Sequence, residues 1–181
     1  MNHIREGLMT GMFRDRECAE NAYRSCIDRG YSDRDVDVLM SDETRKREFP
    51  PDSPKSKVGS KAPEGAGIGV VAGGSIGALL AGLAAAGFAV PALPIIAMGP
   101  LAAALAGAGT GGAIGAVTGA LIGAGIPEER AKMYDRGITE GGIVLGVRPR
   151  SEADAEHLER EWHNARGEQI YRPTPTMTAR R

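Results

Sequence analysis

Between Glu64 and Glu128 the chain runs for 63 residues, 65 to 127, without one Asp, Glu, Lys, Arg or His. Glycine recurs through this run at every fourth position. The first series is Gly65, Gly69, Gly73 and Gly77; the second is Gly107, Gly111, Gly115, Gly119 and Gly123, and it extends back through Ala103 to Gly99. A spacing of four places residues on one helical face, one turn apart. A glycine stripe on that face lets a second backbone come close, the small-xxx-small logic of helix pairs in lipid. Glycine costs about 1 kcal/mol against alanine in an exposed helix, so its accumulation in register points to helix packing and oligomerisation.

Residues 66–90 and 101–125 are free of proline, while the decapeptide PALPIIAMGP at 91–100 holds three prolines and a glycine. Each 25-residue arm would span about 37 Å as a helix, and about 20 apolar residues cross a hydrocarbon core. The sequence therefore predicts a helical hairpin over 64–126, with 91–100 as its connector, embedded in a lipid bilayer. Lys55, Lys57 and Lys61 before it and Arg130 and Lys132 after it place both flanks on the cytoplasmic side of an inner membrane, by the positive-inside rule. Glycine and alanine are only weakly apolar, so the alternative is a soluble cytoplasmic scaffold or shell former with the hairpins buried between subunits.

The mean hydropathy of −0.21 averages this run with highly charged flanks. All 45 Lys, Arg, Asp and Glu residues lie in the other 118 positions, and the net charge is −1, which makes no case for nucleic acid as a partner. Met1 to Phe13 lacks an apolar core segment, so no secretory signal is expected.

The flanks carry periodic patterns. Residues 8–13 form a short apolar run that suits a strand. Cys18, Ala19, Ala22, Tyr23, Cys26 and Ile27 then make one helical face, with Gly30 as its stop, and Val36, Val38 and Met40 alternate as a second strand. Residues 41–63, rich in charge, serine and proline, read as a solvated linker. After the hairpin, Pro127 fits a first helical position ahead of Glu128 and Glu129. Ala131, Tyr134 and Ile138 give that helix a face, and Gly141 and Gly142 end it. Residues 143–147 read as a buried strand, Ser151 with Asp154 as a capping box, Ala155, Leu158, Trp162 and Ala165 as a helix face, and Gln169 to Tyr171 as a last strand. The resulting division is 1–40 and 127–172 as two halves of one α+β domain, joined in a four-stranded sheet and split by the hairpin, with 173–181 as a tail.

The stretch Gly125 to Arg150 resembles the bacterial general-stress proteins of the heat-induced bacillus type and their relatives with a glycine-zipper insert. There a G-I-P-x-x-x-A-x-x-Y helix precedes a G-G-x-L-x-x-V strand. Gly125, Ile126, Pro127, Ala131, Tyr134, Gly141, Gly142 and Val147 match, and Phe13, Ala19, Glu20 and Ala22 match the opening pattern in part. The resemblance implies a ferredoxin-like α+β domain and a part in the stress response. It transfers no catalytic residue.

Motifs for chemistry fall short. Gly107 to Gly112 is glycine-rich, but no Gly-Lys-Ser/Thr follows, and the position 20 residues beyond Gly107 is Pro127 where a dinucleotide fold needs an acid. His157 and His163 are six apart and fall on different helix faces; with His3 they make no metal spacing. Cys18 and Cys26, eight apart on one helix, are too distant for a disulfide within it and read as small core residues. The acids Glu152, Asp154, Glu156, Glu159 and Glu161 read as a solvated face. The expectation is a non-enzymatic, membrane-associated homo-oligomer without catalytic residues, cofactor, metal or small-molecule substrate. A ligand sensor on the ferredoxin-like domain is a further alternative.

Overall fold

The structure, a computed structural model, describes residues 7–50, 75–78, 80, 95–102 and 113–173. In chain order its elements are β1 (Met9–Phe13), α1 (Arg16–Asp28), β2 (Val36–Ser41), α2 (Asp42–Glu48), β3 (Ile95–Met98), α3 (Ala113–Gly123), α4 (Glu128–Thr139), β4 (Ile143–Val147), α5 (Glu152–Asn164) and β5 (Glu168–Tyr171). The protein is mixed α+β around one five-stranded antiparallel sheet, ordered β3-β2-β4-β1-β5.

Local chemistry sets the element ends. The Asp15 carboxylate accepts from the Cys18 amide at 2.8 Å and so caps α1. Gly30 closes that helix with φ +90°, a conformation that favours glycine. The Ser151 hydroxyl accepts from the Asp154 amide, as the capping box predicts.

Alternation along the strands sorts side chains onto two faces. Met9, Phe13, Val36, Val38, Met40, Ile143, Leu145 and Val147 form one core with Tyr23 and Cys26 of α1 and Leu158 and Trp162 of α5. Phe13 and Trp162 meet edge to face at 5.8 Å. On the other face Met12, Leu39 and Val144 pack with Ala131, Tyr134 and Ile138 of α4, Val117 and Leu121 of α3, and Leu101. The sheet is thus covered on both sides, and the uncharged run supplies part of the second cover.

Four expectations need correction. The connector expected over 91–100 contains a strand: Ile95–Met98 pairs with β2, Ser41 opposite Ile95 and Val38 opposite Met98, and 91–94 lie outside the described residues. The β-branched pair Ile95-Ile96 suits a strand, and the flanking prolines Pro94 and Pro100 lie just outside it, where an edge strand tolerates them. This adds a fifth strand to the four foreseen. It also sets the middle of 91–100 in the same sheet as both flanks. The linker is not wholly irregular: Asp42–Glu48 is helical. Ser41 caps it by accepting from the Thr44 amide, and Asp42 pairs with Arg45 and Lys46 one turn on. A helix of seven residues is too short to show apolar periodicity, which is why its pattern read as linker.

The second arm, foreseen as helix over 101–125, is helical at 101–102 and over Ala113–Gly123, and residues 103–112 lie outside the described set. Of the first arm, 66–90, only 75–78 and 80 are described, within a helical turn. Pro127 is the residue before α4 and not its first helical position. Among the described residues, no helix is long and apolar enough to cross a membrane.

Candidate functional site

The uncharged run reaches the folded flanks at three described places, and a buried carboxylate waits at each. Glu20, Asp37 and Asp135 are the buried acids among the described residues, at 8, 1 and 6% exposure. Each accepts a hydrogen bond from the uncharged run: Glu20 Oε1 from the Gly77 amide at 3.4 Å, Asp37 Oδ1 from the Leu101 amide at 2.6 Å, and Asp135 Oδ2 from the Thr118 hydroxyl at 3.2 Å. A segment without cations can satisfy a buried anion only through N–H and O–H donors.

The three sites differ in their electrostatics. Glu20 lies on the first face of the sheet, where Arg16 supplies a counter-ion at 3.5 Å. Arg16 also donates to the Glu48 carbonyl at 2.8 Å, and its guanidinium lies 4.8 Å from the centre of the Phe49 ring. Ile76 buries into the first core beside them.

Asp37 and Asp135 lie on the second face, and among the described residues neither makes an ion pair. Burial pushes the Asp37 carboxyl up to about 6, with the Leu101 amide and the charge of Arg148 pulling the other way. Asp37 stands opposite Gly146 in the sheet register. A Cβ on Gly146 would lie 3.2 Å from the Asp37 Cβ, and one on Gly99 would lie 2.6 Å from both Asp37 Oδ1 and the Val36 carbonyl. Gly99 also has φ +89°, so the turn that delivers Leu101 to the carboxylate requires glycine twice over. Burial likewise raises the Asp135 carboxyl, opposed by the Thr118 hydroxyl. Its Oδ1 is buried without a hydrogen-bond partner among the described residues. Beside it, Tyr134 accepts from the Thr10 hydroxyl at 3.0 Å and donates to the Gln169 carbonyl at 2.5 Å, tying α4 to β1 and β5.

The glycines divide. On α3, Gly115, Gly119 and Gly123 are exposed, and a Cβ on any of them meets nothing within 4 Å among the described residues. Ile122 is 42% exposed next to them. The opposite face of α3, with Val117, Ala120 and Leu121, is buried. Gly77 is in close contact, but with side chains of the folded flank: its Cβ would lie 3.1 Å from Arg16 Nη2 and 3.8 Å from the Phe49 ring. Gly65, Gly69, Gly73, Gly107 and Gly111 lie outside the described residues. The pattern at every fourth position missed Gly137, on α4, whose Cβ would run into the Met12 sulfur. A lone glycine in an amphipathic helix gives no periodic signal, although a glycine there costs helix stability and so implies a packing reason.

Other reactive groups are enclosed. Burial raises the Cys18 thiol, which donates to Asp15 Oδ2 at 3.2 Å, and pushes Cys26 up to about 12. Asp154, read from sequence as part of a solvated face, instead accepts from Arg29 Nε at 2.7 Å and the Tyr31 hydroxyl at 3.0 Å, joining the end of α1 to the start of α5. Trp162 is fully buried and donates to the Ala22 carbonyl at 3.3 Å. Among the described residues no three of His, Cys, Asp and Glu gather as a metal site.

Set against protein families, curated proteins and solved structures, the chain matches none of them.

Proposed function

We propose that this chain is a non-enzymatic interaction protein of the bacterial stress-protein kind, which self-associates through its uncharged, glycine-rich segment. The observation that carries this reading is the open face of α3, where Gly115, Gly119 and Gly123 stand in line beside the exposed Ile122. Those glycines cost helix stability and return no packing among the described residues. A second helix laid along them would bring two backbones into van der Waals contact.

Two further features support the reading. Without β3 the sheet runs β5-β1-β4-β2, all antiparallel, and α1 and α5, which follow β1 and β4, pack on one face. This order supports a ferredoxin-like unit for the flanks, with β3 added at the β2 edge. The match of Gly125 to Val147 with the stress-protein pattern supports the functional class.

The test is the double variant Gly115→Leu with Gly119→Leu, examined by light scattering and chemical cross-linking. Among the described residues a Cβ at either position meets nothing within 4 Å, so the variant is expected to fold and to lose its assembly. A variant that keeps the wild-type mass refutes the reading.

A second reading places the segment in the inner membrane, and the uncharged run of 63 residues favours it. It requires β3 with the Leu101 turn, and α3, to leave the sheet for the bilayer. Flotation of the protein with phosphatidylglycerol vesicles supports it, and recovery in the lipid-free fraction overturns it.

A further inference from the structure

We infer that the second-face cover of the sheet, α3 with the Gly99–Leu101 turn, is an acid-closed latch: Asp37 and Asp135 hold it in their protonated form and loosen it as they ionise. The inference goes beyond self-association and holds for a single chain.

The geometry carries it. Asp37 and Asp135 lie on the same side of the sheet, each nine-tenths or more buried and each facing a piece of the uncharged run. When the cover is docked, an ionised carboxylate there has one hydrogen-bond donor from the run and no ion-pair partner among the described residues. When the cover lifts, water reaches both groups. Ionisation and docking therefore oppose each other. The Oδ1 of Asp135, unpartnered among the described residues, sharpens the conflict, because a buried carboxylate oxygen without a donor is costly as an anion and can carry the proton as an acid.

The charged surroundings are sparse. Residues 113–123 hold no ionisable side chain, and neither do β1 and β4, which share this face. Arg148, just beyond β4, is the cation that acts on Asp37. On α4 itself, Glu128, Glu129, Lys132 and Arg136 are exposed. Glu20 is the internal contrast: it holds the run on the first face, but with Arg16 as its counter-ion.

Burial raises both carboxyls, Asp37 to about 6 from 3.8. A group with a higher pKa docked than free binds its proton on docking. Its contribution is complete below about pH 4 and is lost as pH rises through about 6, a change of about 100-fold in the docking equilibrium for Asp37 alone.

Hydrogen exchange of the full chain between pH 5 and pH 8, corrected for intrinsic rates, reads the latch directly. Protection of 113–123 and of the Leu101 amide falls by about 10-fold or more over that range, while α1 and α5 change less. Asp37→Asn and Asp135→Asn each flatten the slope, and the pair removes it. Equal slopes in α3 and in α1 and α5 of the wild type overturn the inference, as does an unchanged slope in the double variant. Should the variants fail to fold, carboxyl-carbon NMR of the wild-type chain decides: titration of both aspartates at or below 4 overturns the latch.

Discussion

Gly137 of α4 crosses β1 directly over Met12, so closely that a methyl group at position 137 would overlap the Met12 sulfur. Gly142 adds to the crowding, since its own Cβ would lie 3.3 Å from the same atom. Alanine for glycine within a helix ordinarily stabilises by up to about 1 kcal/mol. Here the sign reverses: Gly137→Ala destabilises by about 1–2 kcal/mol, through overpacking of a thioether that is itself buried. The urea midpoint measures it, and combining the change with Met12→Ala recovers part of the loss through a favourable coupling term. A stabilised Gly137→Ala variant contradicts the close crossing.

Gly115 and Gly119 behave oppositely. Both lie in the helical run of α3, and a Cβ on either meets nothing within 4 Å among the described residues. Gly115→Ala and Gly119→Ala each raise the stability of the single chain by about 0.5–1 kcal/mol, as reduced backbone entropy of the unfolded chain predicts. Thermal unfolding at low protein concentration checks this; a loss of stability shows that something presses on that face.

Leu121 tests whether the uncharged run belongs to the folded core. It is fully buried against the second face of the sheet together with Leu39, Val144 and Ile138. Leu121→Ala costs about 2–5 kcal/mol, the range for a large-to-small change in a packed site. An unchanged urea midpoint means that α3 is not docked in solution.

Two aspartates give opposite pH dependences. Asp15 is held below the usual carboxylate range, first by the Cys18 amide that it caps. A depressed pKa contributes stability above about pH 4, and that contribution disappears as acid protonates the cap. Asp37, raised to about 6, destabilises the fold on ionisation, so stability falls between about pH 4 and pH 6 on its account. Asp15→Ala costs about 1 kcal/mol at pH 7 and nothing once the cap is protonated. Asp37→Asn gains most at pH 7, up to about 3 kcal/mol, and little at pH 4. Urea titrations at pH 4 and pH 7 separate the two, and a common sign for both variants at pH 7 is inconsistent with these assignments.

Much of the α+β architecture was legible in the residues, and the reasons are local. The helix stripe from Cys18 to Cys26, the alternation from Val36 to Met40 and the Ser151 cap each bring their own physics and appear where the pattern put them. Isolated short elements were less legible. β3 has four residues between prolines, and it is a strand only because β2 offers it an edge. α2 rests on a cap and two ion pairs, with no apolar face to announce it. The buried acids Glu20, Asp37 and Asp135 were the least legible, since an aspartate in a strand or helix looks like a solvated one until its neighbours are in place.

The chain's amino acids by themselves determined that a long stretch has no charge with which to face water, and that the flanks alternate and repeat in ways that make strands and amphipathic helices. Those are properties of neighbours in sequence. Where the described parts of the uncharged stretch lie was decided in three dimensions: β3 enters the sheet, Leu101 and Leu121 cover its second face, and three carboxylates from distant positions take hydrogen bonds from it. Burial of an acid depends on which elements close over it, and that is a property of the packed whole.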